Sequence, residues 1–290
     1  MAGFNLSTRR GASLLIGLAL LALGACGGGG SDSTAPAPSQ PDPAPPVSGR
    51  WVPALSDTWQ WQLNGSLNTS YVASVYDVDL FDTPQTTIDA LHAQNRKVVC
   101  YFSAGSGEDW RPDYGGFAAA DLGAALAGWA GERWLDTRSA SVRGVMAARL
   151  DLAVSKRCDG VEPDNVDGYA NTSGFPLSAA TQLDYNRWLA AQAHARQLAI
   201  ALKNDLEQLP DLQGDFDFAI NEECFALNEC SAYASFIALG KPVFNAEYAS
   251  RYRQNTNGAR TALCAAAQQA QIRTLVLAQQ LDDSYRYACP

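Results

Sequence analysis

From Trp59 to the C-terminus the chain alternates short apolar runs with longer amphipathic stretches. The runs Trp59–Leu63, Val75–Asp79, Val98–Phe102, Gly160–Asp164, Ile200–Lys203, Phe216–Asn221, Pro242–Glu247 and Thr274–Ala278 read as strands. Helical patterns lie between them. Thr86–Asn95 carries Ile88 and Leu91. Ser139–Lys156 carries Val142, Val145, Met146 and Leu150, the i, i+3, i+4, i+8 stripe of a helix with one buried face. Ser178–Gln197 opens on a serine suited to cap it, and Gly258–Gln271 follows a turn. Eight strands alternating with helices predict an α/β fold, a single-domain (β/α)8 TIM barrel. A doubly wound open sheet is the alternative, but no G-x-G-x-x-G follows the first strand.

The N-terminus follows a different pattern. Arg9 and Arg10 precede an apolar run from Leu14 to Ala25, too short to span a bilayer and ordered like a secretory signal. It ends Leu23-Gly24-Ala25-Cys26, which is similar to a bacterial lipobox with Cys26 as the lipidated residue. An ordinary signal peptide with an incidental cysteine is the plainer reading of the same residues. Gly27, rather than Asp, follows Cys26, which by resemblance to bacterial sorting points to the outer membrane or cell surface. Residues 26–50 are rich in Gly, Ser and Pro without periodicity, the composition of a tether. The expected organisation is therefore a leader at 1–25, a tether at 26–50 and a barrel at 51–290, exported and lipid-anchored as a monomer.

Cysteine usage agrees with export. With Cys26 taken by lipid, Cys100, Cys158, Cys224, Cys230, Cys264 and Cys289 remain, an even count that favours disulfides. Proximity suggests Cys224–Cys230. Cys264–Cys289 would tie down the C-terminus, and Cys100–Cys158 is left by elimination. No C-x-x-C pair and only two histidines are present, so no metal is expected. Thirty acidic residues against 21 basic ones give a net charge of −9, which argues against nucleic acid as a partner. The same charge suits a cationic substrate, although ordinary solubility also favours it.

In a barrel of this kind chemistry sits at the C-terminal ends of the strands. Those ends read Tyr76-Asp77-Val78-Asp79, Cys100-Tyr101-Phe102-Ser103, Val161-Glu162-Pro163-Asp164-Asn165, Leu202-Lys203-Asn204-Asp205, Ile220-Asn221-Glu222-Glu223 and Asn245-Ala246-Glu247-Tyr248. Five of the six carry carboxylates. One such acid alone is usually a cap or a solvated loop residue; five converging on one mouth suggest a functional site. Paired carboxylates are the equipment of glycoside hydrolysis, one ionised and one protonated. Asp164 is the expected ionised member, with Lys203 one strand along to keep it so. Glu222, after the apolar segment Phe216–Ile220, is the expected acid by desolvation.

These segments resemble glycoside hydrolase family 114, the endo-α-1,4-polygalactosaminidases. The motifs that carry the resemblance are Trp59-Gln60-Trp61-Gln62-Leu63, Val75-Tyr76-Asp77-Val78-Asp79-Leu80-Phe81-Asp82, Glu108-Asp109-Trp110-Arg111 and Trp134-Leu135-Asp136. The most specific is Cys158-Asp159-Gly160-Val161-Glu162-Pro163-Asp164-Asn165-Val166-Asp167-Gly168-Tyr169, joined by Leu202-Lys203-Asn204-Asp205 and Asn221-Glu222-Glu223-Cys224-Phe225. The resemblance implies a (β/α)8 barrel, Asp164 as nucleophile, Glu222 as acid/base, and retaining endo-cleavage of an α-1,4-linked galactosamine polymer without a cofactor.

One point of phase stands against Glu222. Strict alternation groups it with Phe216, Phe218 and Ile220, so it reaches the pocket only if that face is the inner one. Glu223 is the rival, and Glu222 is preferred mainly on the family resemblance. Glu162 and Asp164 share a face, as do Asp77 and Asp79, while Ala199, Ala201 and Lys203 make a small-small-Lys face that leaves room inside. Asp77, Asp79, Glu162, Lys203, Asn204 and Glu247 are candidates to bind sugar hydroxyls or an ammonium. Tyr101, Trp110, Tyr169 and Tyr248 are candidates to stack on sugar rings. A calcium site at Glu162, Asp164 and Asp167 lacks the spacing of an EF-hand loop. A non-catalytic barrel that anchors matrix polysaccharide is the alternative function, and a serine hydrolase is disfavoured because no G-x-S-x-G elbow is present.

Overall fold

The structure, a computed structural model, describes residues 49–290. The leader, Cys26 and nearly all of the tether expected from the sequence lie outside the described residues. Twelve strands are present among them. They are β1 (Trp59–Gln62), β2 (Val75–Asp79), β3 (Lys97–Ser103), β4 (Ser106–Glu108), β5 (Leu122–Ala125), β6 (Glu132–Leu135), β7 (Gly160–Asp164), β8 (Ala199–Lys203), β9 (Phe218–Glu222), β10 (Val243–Glu247), β11 (Arg273–Leu277) and β12 (Arg286–Ala288). The longer helices are α1 (Gln85–His92), α2 (Ala140–Ser155), α3 (Ala179–Ala195) and, after four short ones, α8 (Ala259–Ala270). The short ones are α4 (Leu209–Leu212), α5 (Cys224–Leu227), α6 (Ala234–Ala238) and α7 (Ser250–Arg253).

One sheet runs β1-β2-β3-β7-β8-β9-β10-β11-β12, parallel throughout except for the last strand. Its first eight members are the eight runs read from the sequence, in sequential order, with ends shifted by a residue or two. The sheet curls until its edges meet. Leu63 and Asn64 N–H groups both donate to the Leu281 carbonyl at 3.0 Å, and Arg286 on β12 bonds Gln60 and the Trp59 carbonyl on β1. Two additions went unread. β12 follows a Gly-free turn and is largely exposed, so no apolar run marks it. The excursion between β3 and α2 forms a second, antiparallel sheet in the order β4-β6-β5, whose strands of three or four residues are too short to show a period.

The barrel has two apolar layers. Inside lie Trp59, Trp61, Val75, Val99, Ala199, Ala201, Phe218, Ile220, Phe244, Ala246, Leu275 and Leu277. Outside, under the helices, lie Tyr76, Val78, Val98, Cys100, Phe102, Val161, Ile200, Leu202, Ala219 and Val243. Strand pleating explains the split, since alternate residues face opposite sides. Trp59 stacks on Trp61 at 5.6 Å and on Phe244 at 5.1 Å, filling the lumen below the mouth. The smallness of Ala199, Ala201 and Ala246 makes room for those rings.

Ser178 caps α3 through a bond from the Thr181 N–H. In α2, Val142, Met146 and Leu150 of the expected stripe are buried, joined by Arg149, which sends its guanidinium to Asp113 and the Ser103 carbonyl. All three disulfides form as expected: Cys100–Cys158, Cys224–Cys230 and Cys264–Cys289.

Candidate active site

On β2, β3, β7, β8 and β9 the inner face is apolar or small low down and polar at its C-terminal end. On β9 the inward series is Phe218, Ile220, Glu222, and Phe216 belongs to the outer layer before the strand begins. That settles the phase: Glu222 faces the mouth. Glu223 is the next residue and adopts φ 63°, turning the chain out of the sheet. Left-handed residues also follow β7 and β8, at Asn165 (φ 59°) and Asn204 (φ 49°). Asn tolerates that region better than most residues. The turns end each strand abruptly and leave its last inward carboxylate or amine at the rim.

Lys203 stands at the centre. Its Nζ lies 2.8 Å from Glu162 Oε1, 3.1 Å from Asp164 Oδ1 and 3.6 Å from Glu222 Oε2. Its ammonium also sits over the Trp61 ring, 4.7 Å from the centroid. The lysine is buried, and burial alone would depress its pKa. The charges of Asp164, Glu162 and Glu222 outweigh that and hold it well above the usual range. An ammonium deprived of water is tolerable only with such partners.

The two rim carboxylates are held differently. Asp164 accepts from the Tyr101 hydroxyl at 3.2 Å in addition to Lys203. Glu222 accepts from the Tyr248 hydroxyl at 2.6 Å and from Asn204 Nδ2 at 3.4 Å. Asn204 Oδ1 in turn accepts the Glu222 N–H at 3.0 Å and Asn221 Nδ2 at 3.1 Å. Burial, reinforced by Asp164 and Glu222 respectively, lifts the Tyr101 and Tyr248 phenols well above their usual range, so both remain donors. The Glu222 side chain keeps 33% of its exposure against 18% for Asp164.

Beneath the rim, burial raises the pKa of the acids. Glu162 is fully buried, and burial together with Asp164 pushes it up to about 7 despite Lys203. Asp77, on β2 with β3 between it and the strand of Glu162, is raised well above its ordinary value by burial and then by the charge of Glu162. Asp205, just past β8, is pushed up to about 7 by burial and by Asp167, while Asn186 donates to it at 3.0 Å. Asp167 is itself raised by burial and by Asp164.

The chain matches the family model described as glycoside-hydrolase family GH114 over residues 40–290. It belongs to glycoside hydrolase family GH114. Ega3 from Aspergillus fumigatus, solved in complex with galactosamine, is similar at 42% identity and TM-score 0.79, covering 84% of this chain and 99% of that one. The glycoside hydrolase domain of PelA from Pseudomonas aeruginosa shares the fold at 16% identity and TM-score 0.61, covering 78% of this chain and 96% of that one. A search among curated proteins finds no match. This GH114 member is accordingly a glycoside hydrolase, and its carboxylates can be sorted by what they touch.

Asp164, Glu222, Tyr101, Glu162, Lys203, Asn204 and Tyr248 meet at the GH114 mouth as the sequence suggested. Asp77 lies on the inner face of β2 but is only 1% exposed, buried away from the open cleft. Two candidates require correction. Asp79 is spent on structure: it takes both Nη groups of Arg111, at 3.1 and 2.6 Å, and the N–H groups of Phe81 and Asp82, at 2.8 Å each. Glu247 occupies the outer face of β10, where it accepts from the Phe225 N–H at 2.9 Å and from Asn245. Its phase, one residue off Ala246 and Tyr248, takes it away from the lumen.

The sequence missed two contributors. Arg111 clamps Asp79 and Glu108 together, with both Glu108 oxygens 2.9 Å from its nitrogens. It stood within a quoted motif, but no charge pattern announced its partners. Glu132 comes from the unread excursion and is buried, pushed up to about 7 by burial and the neighbouring charges of Glu108 and Asp164 against the hydrogen bond from Ser106. Among the described residues no cluster of His, Cys, Asp and Glu has the arrangement of a metal site.

Proposed function

We propose that this enzyme is an endo-acting hydrolase of an α-1,4-linked, galactosamine-containing exopolysaccharide, working with retention through Asp164 and Glu222. The observation that carries the reading is the shared ammonium. Lys203 lies between the two rim carboxylates at 3.1 and 3.6 Å. Two carboxylates on one small cation favour the short separation of retaining enzymes, about 5–5.5 Å, over the ~6.5–9.5 Å that leaves room for a water. Lys203 and the Tyr101 hydroxyl hold and aim the Asp164 carboxylate, as a nucleophile requires. Glu222, the more open of the two, can take a proton from solvent and give it to the glycosidic oxygen. It can then activate water against the glycosyl–Asp164 ester.

Substrate class rests on two supports. The similar Ega3 was solved with galactosamine. The carboxylates Asp164 and Glu222 at the mouth suit an amine-bearing sugar, since an ammonium would pair with them. The three disulfides accord with export, and we infer a lipid-anchored surface location through Cys26 from the leader sequence.

The test is digestion of de-acetylated and partly acetylated α-1,4-galactosaminogalactan, with products read by mass spectrometry. Internal fragments are expected from wild type. Asp164→Asn should lose at least about 10³-fold in kcat while still binding polymer, as for loss of a covalent nucleophile. Wild-type turnover by that variant would overturn the assignment, and binding without any products from wild type would favour the anchoring role instead.

A further inference from the structure

The turn that presents Asp164 is clamped from one side by the β4-β6-β5 excursion. The Asp164 carbonyl accepts two N–H groups, from Ala104 at 2.8 Å and Gly105 at 3.0 Å. A Cβ on Gly105 would lie 1.7 Å from the Asn165 carbonyl oxygen, so only glycine allows that approach. Asn165 itself is in the left-handed region, where its side chain folds back over the turn. Its Nδ2 donates to Ser103 Oγ and Ser106 Oγ, each at 3.0 Å, and reaches Glu132 Oε1 at 3.4 Å. Ser106 donates to the same Glu132 oxygen, and Ser103 therefore donates to Ser106.

Every polar group in this cluster ends at Glu132. It is 5% exposed, and its neighbour across the ladder is Glu108, which is already taken by Arg111. Ser103 is further fixed through its carbonyl, which accepts from Arg149 at 2.6 Å. Nothing in hydrolysis requires a carboxylate at this place. A buried carboxylate with no cation on it is costly.

We propose that Glu132 is a positioning residue for the reaction: acting through Ser106 and Asn165, its carboxylate fixes the turn that aims Asp164. This rests on the reading of Asp164 as nucleophile. The titratable groups facing Glu132 are Glu108 from β4, Asp164 from β7 and, through their mutual charge interaction, Tyr101 from β3. When Glu132 is ionised it only accepts, and Ser106 and Asn165 both point at it. When protonated it competes as a donor, and the chain of bonds loosens. The ionised form is therefore the competent one, and kcat should rise through an inflection near neutral pH.

The experiment compares Glu132→Leu, Glu132→Gln and Ser106→Ala in the purified protein. Glu132→Leu and Ser106→Ala should each lower kcat roughly 10²-fold, the cost of a small misplacement of a reacting group, with KM within about twofold of wild type. Glu132→Gln keeps an acceptor oxygen, so it should recover most of kcat but lose the inflection. Independently of turnover, the Asn165 side-chain amide resonance should titrate with Glu132 in wild type and stay fixed in Glu132→Gln. Wild-type kcat in Glu132→Leu, a Gln variant no better than Leu, or an Asn165 resonance that ignores Glu132 would each overturn the proposal. If wild type itself cleaves no polymer, the functional reading fails, while the Asn165 titration still decides whether the clamp exists.

Discussion

At the residue scale the site is an exercise in charge placed out of water. One ammonium, Lys203, serves three carboxylates, and two of those are the rim acids Asp164 and Glu222. Removing it would leave Glu162 and Asp164 facing each other with no cation within reach. Lys203→Met should therefore destabilise the fold by about 3–5 kcal/mol, the range seen when one partner of a buried ion pair is deleted. The check is urea unfolding of wild type and variant at neutral pH. The loss should shrink in acid, because Glu162 and Asp77 then carry protons and less charge is stranded. A loss under 1 kcal/mol at neutral pH would mean the acids neutralise themselves without the lysine.

At the scale of elements, the excursion between β3 and α2 does more than close a loop. Its buried end carries Glu108 and Glu132, paired across β4 and β6. Its outer end carries Trp110 and Trp129, each 52% exposed. The ladder continues past β4 through the Asp109 N–H to the Gly131 carbonyl at 3.0 Å, so both tryptophans belong to one tip. Indole faces suit the apolar C–H faces of pyranose rings. Trp110→Ala and Trp129→Ala should each weaken polymer binding by about 0.5–1.5 kcal/mol, or roughly 2- to 10-fold in KM on long chains. Trimers and tetramers too short to reach the tip should be cleaved as by wild type. Equal losses on short and long substrates would place the tryptophans in the fold rather than on the substrate's path.

At the scale of the whole molecule, the acidic mouth and the net charge of −9 act together. A de-acetylated galactosamine polymer is a polycation near neutral pH, and long-range attraction should raise its local concentration at the cleft. Salt at about 0.5 M shortens the Debye length to well below the ~8 Å of physiological ionic strength. Apparent KM for the de-acetylated polymer should therefore climb several-fold with salt, whereas a fully acetylated polymer should show little change. A KM indifferent to salt on the cationic polymer would confine the electrostatics to contacts inside the cleft.

The eight barrel strands were legible because each is short, largely apolar and set off by a loop or helix, so periodicity and spacing were enough. The disulfide pairs followed from proximity, the need to close the chain end and elimination; Asp164 was expected from its place at a strand end, and Glu222 was preferred to Glu223 mainly on the family resemblance. Local pattern could not tell which strand face turns inward. Phe216 and Phe218 look alike in sequence, yet one packs under a helix and the other fills the lumen. That choice, made by the closure of the sheet, sends Glu222 into the mouth and Glu247 away from it. Nor could the sequence show that Arg111 would occupy Asp79, or that Glu132 would fold back against Asn165 from 33 positions away. Charges find partners through distance in space, and spacing along the chain carries no record of that distance once a segment lacks a period.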